Sequence, residues 1–243
     1  MMLEKYSASG NDFLIFHTLN KFNFSSFAKK LCARSYIGAD GLVVLLPSRY
    51  YAYEWAFYNS DGSAANMCGN ASRCVAHYAL NNKLAKRKHI FLSGAGPIEV
   101  EVTRDIVEVN FGRVKIVREN ILDLGMEFTL LDSGVPHLVC FSDRTPDIKL
   151  MQNLRKKYNA NVTFANIKNR KSISLFTYER GVEGITKSCG TGAACVFFLA
   201  FSKNKIDNHA SLVPPIGEKL EFWAANENVY YKGRVLKIAS LVI

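Results

Sequence analysis

The sequence predicts an α+β fold, and three observations carry that prediction. Short apolar runs bounded by Gly, Asn, Asp and Pro outnumber amphipathic stretches. The helical stretches do not alternate strictly with the strands, as a doubly wound sheet would require. One eight-residue pattern also occurs twice, half a chain length apart.

Taken in order, the first half offers strands at 13–19, 42–46, 55–58, 98–102 and 106–111, each rich in β-branched or aromatic residues. The second half offers 138–141, 161–167, 173–178 and 229–236. Helical stretches fall at 25–34, 71–82, 149–158 and 192–204. The first of these has an apolar face of Phe27 and Leu31, with Cys32 beside it and Ser25 placed as its N-cap. No linker rich in Pro, Gly or Ser interrupts the chain.

A chain of 243 residues makes one large or two small domains. With 49% hydrophobic and 21% charged residues it can bury a core without staples, which excludes disorder, collagen-like repeats and a disulfide scaffold. The 31 Lys and Arg against 21 Asp and Glu give a net charge of +10. Those charges are scattered. The two densest clusters, 83–88 and 155–157, adjoin helical stretches and lack the interleaved aromatics of a single-strand binder. Neither a nucleic acid nor a membrane is therefore the expected partner. The opening MMLEKYSASGND lacks the apolar core of a secretory signal. The longest apolar run, Ala193 to Phe201, is too short to span a bilayer. A cytoplasmic location with reduced cysteines is expected, and no Cys/His spacing points to zinc.

The repeated pattern is Cys68-Gly-Asn-Ala-Ser-Arg-Cys74-Val and Cys189-Gly-Thr-Gly-Ala-Ala-Cys195-Val. An aromatic strand precedes each copy and a small-residue, then apolar, helix follows. The arrangement predicts two related halves, each supplying a strand, a loop, a Cys-Gly and a helix. At such a junction the first N–H groups of the helix favour negative charge. They lower a thiol pKa from about 8.5 towards neutrality and can cradle a carboxylate. Gly69 and Gly190 let the backbone approach closely. Two such units suit a racemase or epimerase: one thiolate removes a proton from one face of a carbon and one thiol returns a proton to the other. No Walker loop, GxGxxG or HExxH signals a cofactor.

Blander roles stand beside these. Cys32, Cys74, Cys140 and Cys195 fit as small core hydrophobes. On the residues alone, Cys68 and Cys189 are as open to that role as to a functional one. His137 follows a Gly/Pro turn and fits a structural histidine. Glu179-Arg180 reads as a surface salt bridge, or as recognition of an amino group and a carboxylate. Asn11, Asn59, Asn70 and Asn161 read as turn formers or as contacts to a polar substrate.

Six segments in order resemble the diaminopimelate epimerase family over nearly the whole chain. They are 10–13 with 38–41; 57–62 with Met67-Cys68-Gly69-Asn70; 134–137; 161–164; 178–181; and Cys189-Gly190-Thr191-Gly192. The resemblance implies two pseudo-symmetric α/β domains, each a curled, mostly antiparallel sheet around a central helix, with the active site in the cleft between them. The halves would be 1–113, completed by a C-terminal strand at 232–243, and 114–231. It implies a cofactor-independent epimerase converting LL-2,6-diaminopimelate to the meso form, for lysine and peptidoglycan synthesis, often as a homodimer. Cys68 would deprotonate the LL isomer and Cys189 reprotonate the opposite face. The backbone of Gly69, Asn70, Gly190 and Thr191 would hold the reacting carboxylate. Asn11, Asn59, Asn161, Glu179 and Arg180 would hold other polar groups, and His137 and Glu179 would tune the thiols. Many members have Gln where Gly41 stands and Asn where Val135 stands, and the stretch from Glu179 to Cys189 is one residue longer than usual. A proline or hydroxyproline racemase of the same fold is the nearest alternative. A buried Glu179-Arg180 pair, costly without a ligand, argues against it. A non-catalytic binder of an acidic polymer, driven by the positive charge, is the alternative of another class.

Overall fold

The computed structural model describes residues 1–144 and 147–243. The chain divides into two compact units, Met1–Val109 with Gly233–Ile243, and Asn110–Lys232. Among the described residues it forms seventeen strands and four α-helices.

The chain runs through β1 (Met2–Ala8), β2 (Asn11–His17), α1 (Ser25–Cys32), β3 (Gly41–Leu46), β4 (Glu54–Asn59), α2 (Gly69–Asn81), β5 (Lys88–Ser93), β6 (Gly96–Thr103) and β7 (Ile106–Gly112). There follow β8 (Lys115–Asp123), β9 (Met126–Asp132), β10 (Pro136–Phe141), α3 (Ile148–Tyr158), β11 (Asn161–Asn169), β12 (Ser172–Glu179) and the short β13 (Gly184–Ile185). Then come α4 (Gly190–Ser202), β14 (His209–Val213), β15 (Leu220–Ala225) and β16 (Asn228–Arg234), and β17 (Leu236–Val242) returns to the first unit.

In the first unit β17, β1 and β2 pair antiparallel, β2 and β3 parallel, and β3 and β4 antiparallel. Then β4 and β5 pair parallel, and β5, β6 and β7 antiparallel. The second unit repeats this order of senses with β8, β9, β10, β11, β12, β14, β15 and β16. A parallel step needs a crossover long enough to return to the same end of the sheet. Helices supply all four crossovers: α1 and α3 the first in each unit, α2 and α4 the second.

The two crossover helices of each unit have different surroundings. α2 packs on β1, β2, β3 and β6, and α4 on β10, β11, β14 and β15. Ten of the thirteen residues of α2 are buried, and most of those of α4. Small side chains at Ala71, Ser72, Cys74, Ala76 and Ala79, and at Gly192, Ala193, Ala194 and Cys195, let strands close around them. The other face of each sheet takes the amphipathic helix. Ala28, Leu31 and Cys32 of α1 pack with Leu14, Phe16, Leu42 and Val44, and Met151 and Leu154 of α3 with Leu138, Val162 and Phe164. Covered on both faces, β3 is buried at all six positions, which is why it reads as the uninterrupted run GLVVLL.

Several strands carry no such signal. β8 and β17 are exposed along most of their length, so nothing forces apolar alternation on them. β1 mixes charge into its buried face: Glu4 is 6% exposed and accepts from Lys237 Nζ at 2.6 Å and Tyr6 Oη at 3.1 Å. Ser25 does not cap α1 as expected. It is the first helical residue and its hydroxyl donates to Gly62 O at 2.6 Å, while Asn23 Oδ1 accepts the Ser25 N–H. Cys32, Cys74, Cys140 and Cys195 are core residues, each at most 3% exposed. Among the described residues no helix is long and apolar enough to cross a membrane.

Candidate active site

The sequence echo is an echo of structure. In the first unit β4 ends at Asn59, Gly62 N–H donates back to Asn59 O at 2.9 Å, and Ala65 N–H to Phe57 O at 2.9 Å. Three residues on, Cys68 stands at the N-cap of α2. In the second unit β12 ends at Glu179, Glu183 N–H donates to Glu179 O at 2.8 Å, and Thr186 N–H to Thr177 O at 3.1 Å. Three residues on, Cys189 stands at the N-cap of α4. The turn of this hairpin, 180–183, carries positive φ at Gly181 and Glu183.

Both cysteines have extended backbones, φ −152° and −124°, and neither side chain caps its helix. The first intrahelical bonds run from Ser72 N to Cys68 O and from Ala193 N to Cys189 O. Each cysteine thus stands at the positive end of a helix dipole, where the first-turn N–H groups are free of intrahelical partners.

The second unit gathers Cys189, Thr191, His137, Asn161 and Glu179. Cys189 Sγ lies 3.3 Å from Thr191 Oγ1, which lies 2.9 Å from His137 Nε2. Arg180 N–H donates to Asn161 Oδ1 at 2.7 Å, so the Asn161 amide nitrogen is the atom 3.2 Å from His137 Nε2. That nitrogen of the ring is therefore an acceptor, and the Thr191 hydroxyl donates to it. Burial holds His137 neutral by pushing its pKa down to about 3, so its proton sits on Nδ1, 3.5 Å from Thr163 Oγ1. Thr191 Oγ1 remains an acceptor for the Cys189 S–H.

The Cys189 thiol departs from expectation. Burial raises its pKa well above the ordinary value, and the negative charge of Glu179 against it adds to the effect. The Gly192 N–H acts in the opposite sense and does not overcome it. At this sulfur desolvation outweighs the helix N-terminus. Burial likewise raises the Glu179 carboxyl, while Thr186 Oγ1 donates to it. Gly192 makes the close packing possible: a Cβ there would meet Thr177 Oγ1 at 2.9 Å, Thr163 Oγ1 at 3.1 Å and His137 Cε1 at 3.2 Å.

Glu179 and Arg180 are not a buried acid–base pair. They alternate across the end of β12: Glu179 turns to Cys189, whereas Arg180 is exposed and its guanidinium donates to Asn159 O at 3.2 Å. That expected argument against a racemase of the same fold falls away.

In the first unit Asn70 and Asn11 meet, with Asn70 Nδ2 donating to Asn11 Oδ1 at 2.6 Å. Asn59 is exposed and its amide donates to Ser63 Oγ at 3.0 Å. Gly41 has no room for a side chain: a Cβ would stand 2.7 Å from Phe57 Cε2 and 2.8 Å from Tyr58 O. Thr163, Thr177 and Thr186 escaped the sequence reading because isolated threonines carry no motif. Arg73 and Asp40 also escaped it, although Arg73 stands where the second copy of the repeat has Ala194, a visible asymmetry.

Comparison with known proteins agrees with this arrangement. The family pattern of diaminopimelate epimerase matches residues 3–117. A diaminopimelate epimerase of Nitratiruptor sp. is 47% identical over 98% of this chain and 96% of its own length. One from Campylobacter jejuni subsp. doylei is 46% identical over 97% and 96%, and one from Helicobacter pylori 43% over 100% and 96%. Among solved structures, a hydroxyproline epimerase from Agrobacterium vitis has a TM-score of 0.74 at 14% identity, covering 99% of this chain and 91% of its own. A Bacillus anthracis phenazine biosynthesis protein of the PhzF family has 0.75 at 11%, covering 99% and 98%. Those two show a shared fold; the likeness to the bacterial relatives extends through both cysteine modules, and by it the chain belongs to the diaminopimelate epimerase family.

Proposed function

We propose that this chain interconverts LL- and meso-2,6-diaminopimelate through two thiols and without a cofactor, serving lysine and peptidoglycan synthesis. The single observation that carries the reading is the duplicated hairpin, Cys and helix N-terminus, one in each unit. The Cys68 thiolate takes the α-proton of the LL isomer, and the Cys189 thiol gives its own proton to the opposite face of the carbon. One proton is gained at Cys68 and one lost at Cys189, so the enzyme is left ready for the reverse direction. The burial that keeps Cys189 protonated supports its role as the acid in the LL-to-meso sense.

Charge builds on the substrate carboxylate as the proton leaves. The N–H groups of Gly69 and Asn70, and of Gly190 and Thr191, are the donors assigned to it. Asn11, Asn59, Asn161, Glu179 and Arg180 hold the remaining polar groups, Arg180 doing so from its exposed position. Glu179 and His137 set the proton affinity of Cys189, Glu179 directly and His137 through the Thr191 hydroxyl. A cytoplasmic location and a homodimer belong to the same reading. Sedimentation velocity tests the dimer.

Proton NMR of LL-diaminopimelate with the reduced enzyme tests the function, with proline as a second substrate. Formation of the meso isomer, abolished in Cys68→Ala and in Cys189→Ala, is the expected result. Turnover of proline with none of diaminopimelate would transfer the chain to the racemase alternative.

A further inference from the structure

Arg73 is the one charged side chain of the buried part of α2, with 0% exposure. Its Nη2 donates to Asn70 Oδ1 at 2.7 Å and to Ser9 Oγ at 2.6 Å, and its Nη1 to Arg234 O at 3.2 Å. The bond to Asn70 is the start of a chain. Asn70 Nδ2 donates to Asn11 Oδ1 at 2.6 Å, and Asn11 Nδ2 donates to Asp40 Oδ2 at 3.0 Å. Asp40 is held from beyond by Arg34 Nη2 at 2.6 Å and by the Asp12 N–H at 3.1 Å.

The ends of this chain can each act in one sense only. A guanidinium donates and never accepts; a carboxylate accepts. An amide between other amides could flip, exchanging its oxygen and nitrogen at little cost. Here Arg73 forces the Asn70 oxygen towards itself, which turns the Asn70 nitrogen to Asn11. The Asn11 oxygen must then face Asn70, and its nitrogen Asp40. Both ends demand the same polarity, and both asparagines obey it. Each amide has two N–H groups and the chain uses one from each, so the second Asn11 N–H is left as a donor of fixed direction.

We propose that Arg73 is a positioning residue for substrate binding, acting through Asn70 on Asn11. It fixes which atoms the two amides present and ties the first turn of α2 to the start of β2. The inference rests on the epimerase reading above, in which Asn11 holds a polar group of the substrate remote from the thiols. The second half of the molecule has Ala194 and Thr191 where the first has Arg73 and Asn70, so this device belongs to one half only.

The expected effect lies in binding rather than chemistry, because the epimerase reading gives Asn11 a polar group of the substrate away from the thiols. Arg73→Lys keeps the charge and loses the fork. In the folded variant, KM for LL-diaminopimelate should rise about tenfold, the worth of one charge-assisted hydrogen bond, with kcat within about threefold. Asn11→Ala should raise KM similarly, and adding Arg73→Lys to it should change KM by less than about twofold. Ser9→Ala, which removes another Arg73 bond, should leave KM nearly unchanged. A folded Arg73→Lys with wild-type KM, or effects that multiply with those of Asn11→Ala, would overturn the proposal.

If Arg73→Lys does not fold, Asn70→Asp carries the test. It keeps an acceptor for Arg73 and removes the donor to Asn11, so KM should rise alike; an unchanged KM overturns the proposal. A wild-type enzyme inert on diaminopimelate would defeat the functional reading alone. The chain itself is read separately by side-chain amide hydrogen exchange in NMR. Slow exchange at Asn11 and Asn70, lost in Arg73→Lys or, for Asn11, in Asn70→Asp, supports it, and fast exchange in the wild type rejects it.

Discussion

Cys189 keeps its proton because it is buried against a carboxylate. Replacing Glu179 by Gln removes the negative charge and leaves the shape, so the thiol should ionise at lower pH. The pH profile of Cys189 alkylation should move down accordingly; an unmoved profile would mean that burial alone sets the thiol. His137 gives a stability test with a defined sign. Its folded value of about 3 lies below the ordinary value of about 6.5 in an unfolded chain. Below about pH 6.5 the unfolded chain takes up a proton that the folded chain refuses. Stability present above that pH therefore drains as pH falls towards 3, by about 1.4 kcal/mol per unit. Urea unfolding at pH 7.5 and 5.0 should show a loss about 2 kcal/mol larger in the wild type than in His137→Gln. At this scale Cys68 and Cys189 were legible as candidates because they open a repeated motif. The protonation of Cys189 was not, because it depends on Glu179 and on burial, which spacing alone does not reveal.

At the scale of elements, the N-terminus of α4 is seated by Gly192, whose counterpart in the first half is Ala71. Gly192→Ala drives a methyl into Thr177, Thr163 and His137. It should destabilise by about 1–3 kcal/mol as an overpacked site and lower kcat by displacing Thr191 and Cys189. Ala71→Gly should cost about 1 kcal/mol, from helix propensity. Thermal denaturation and kcat of both variants check the contrast, and a Gly192→Ala variant with wild-type stability and kcat would contradict it. The buried strands β2, β3, β11 and β12 were legible as apolar runs, and all four helices were found within two residues at most ends. Both cysteine helices begin two residues earlier than periodicity predicts, since Gly69 and Gly190 are poor helix formers placed by the turn before them. Strand β8 was invisible because ladder hydrogen bonds hold it without burying an apolar face; β17, held in the same way, was expected only from the family resemblance, as a strand within 232–243.

At the scale of the molecule, the two units share one order of strand senses and helices, and the first unit is closed by the last strand of the chain. Removing residues 236–243 uncovers β1 and strips Glu4 of Lys237, leaving a buried carboxylate without its cation. The truncated chain should lose about 3 kcal/mol or more, read as a lower urea midpoint; an unchanged midpoint would make β17 dispensable. Duplication also accounts for the chemistry proposed, with one acid–base sulfur per unit. The most direct test follows the isotope. LL-diaminopimelate is incubated in D2O and sampled at early conversion. Two thiols, each serving one face, predict deuterium at the α-carbon of the meso product and almost none in recovered LL substrate. Deuterium entering the recovered substrate as fast as the product would mean a single base serving both faces, and would contradict the account.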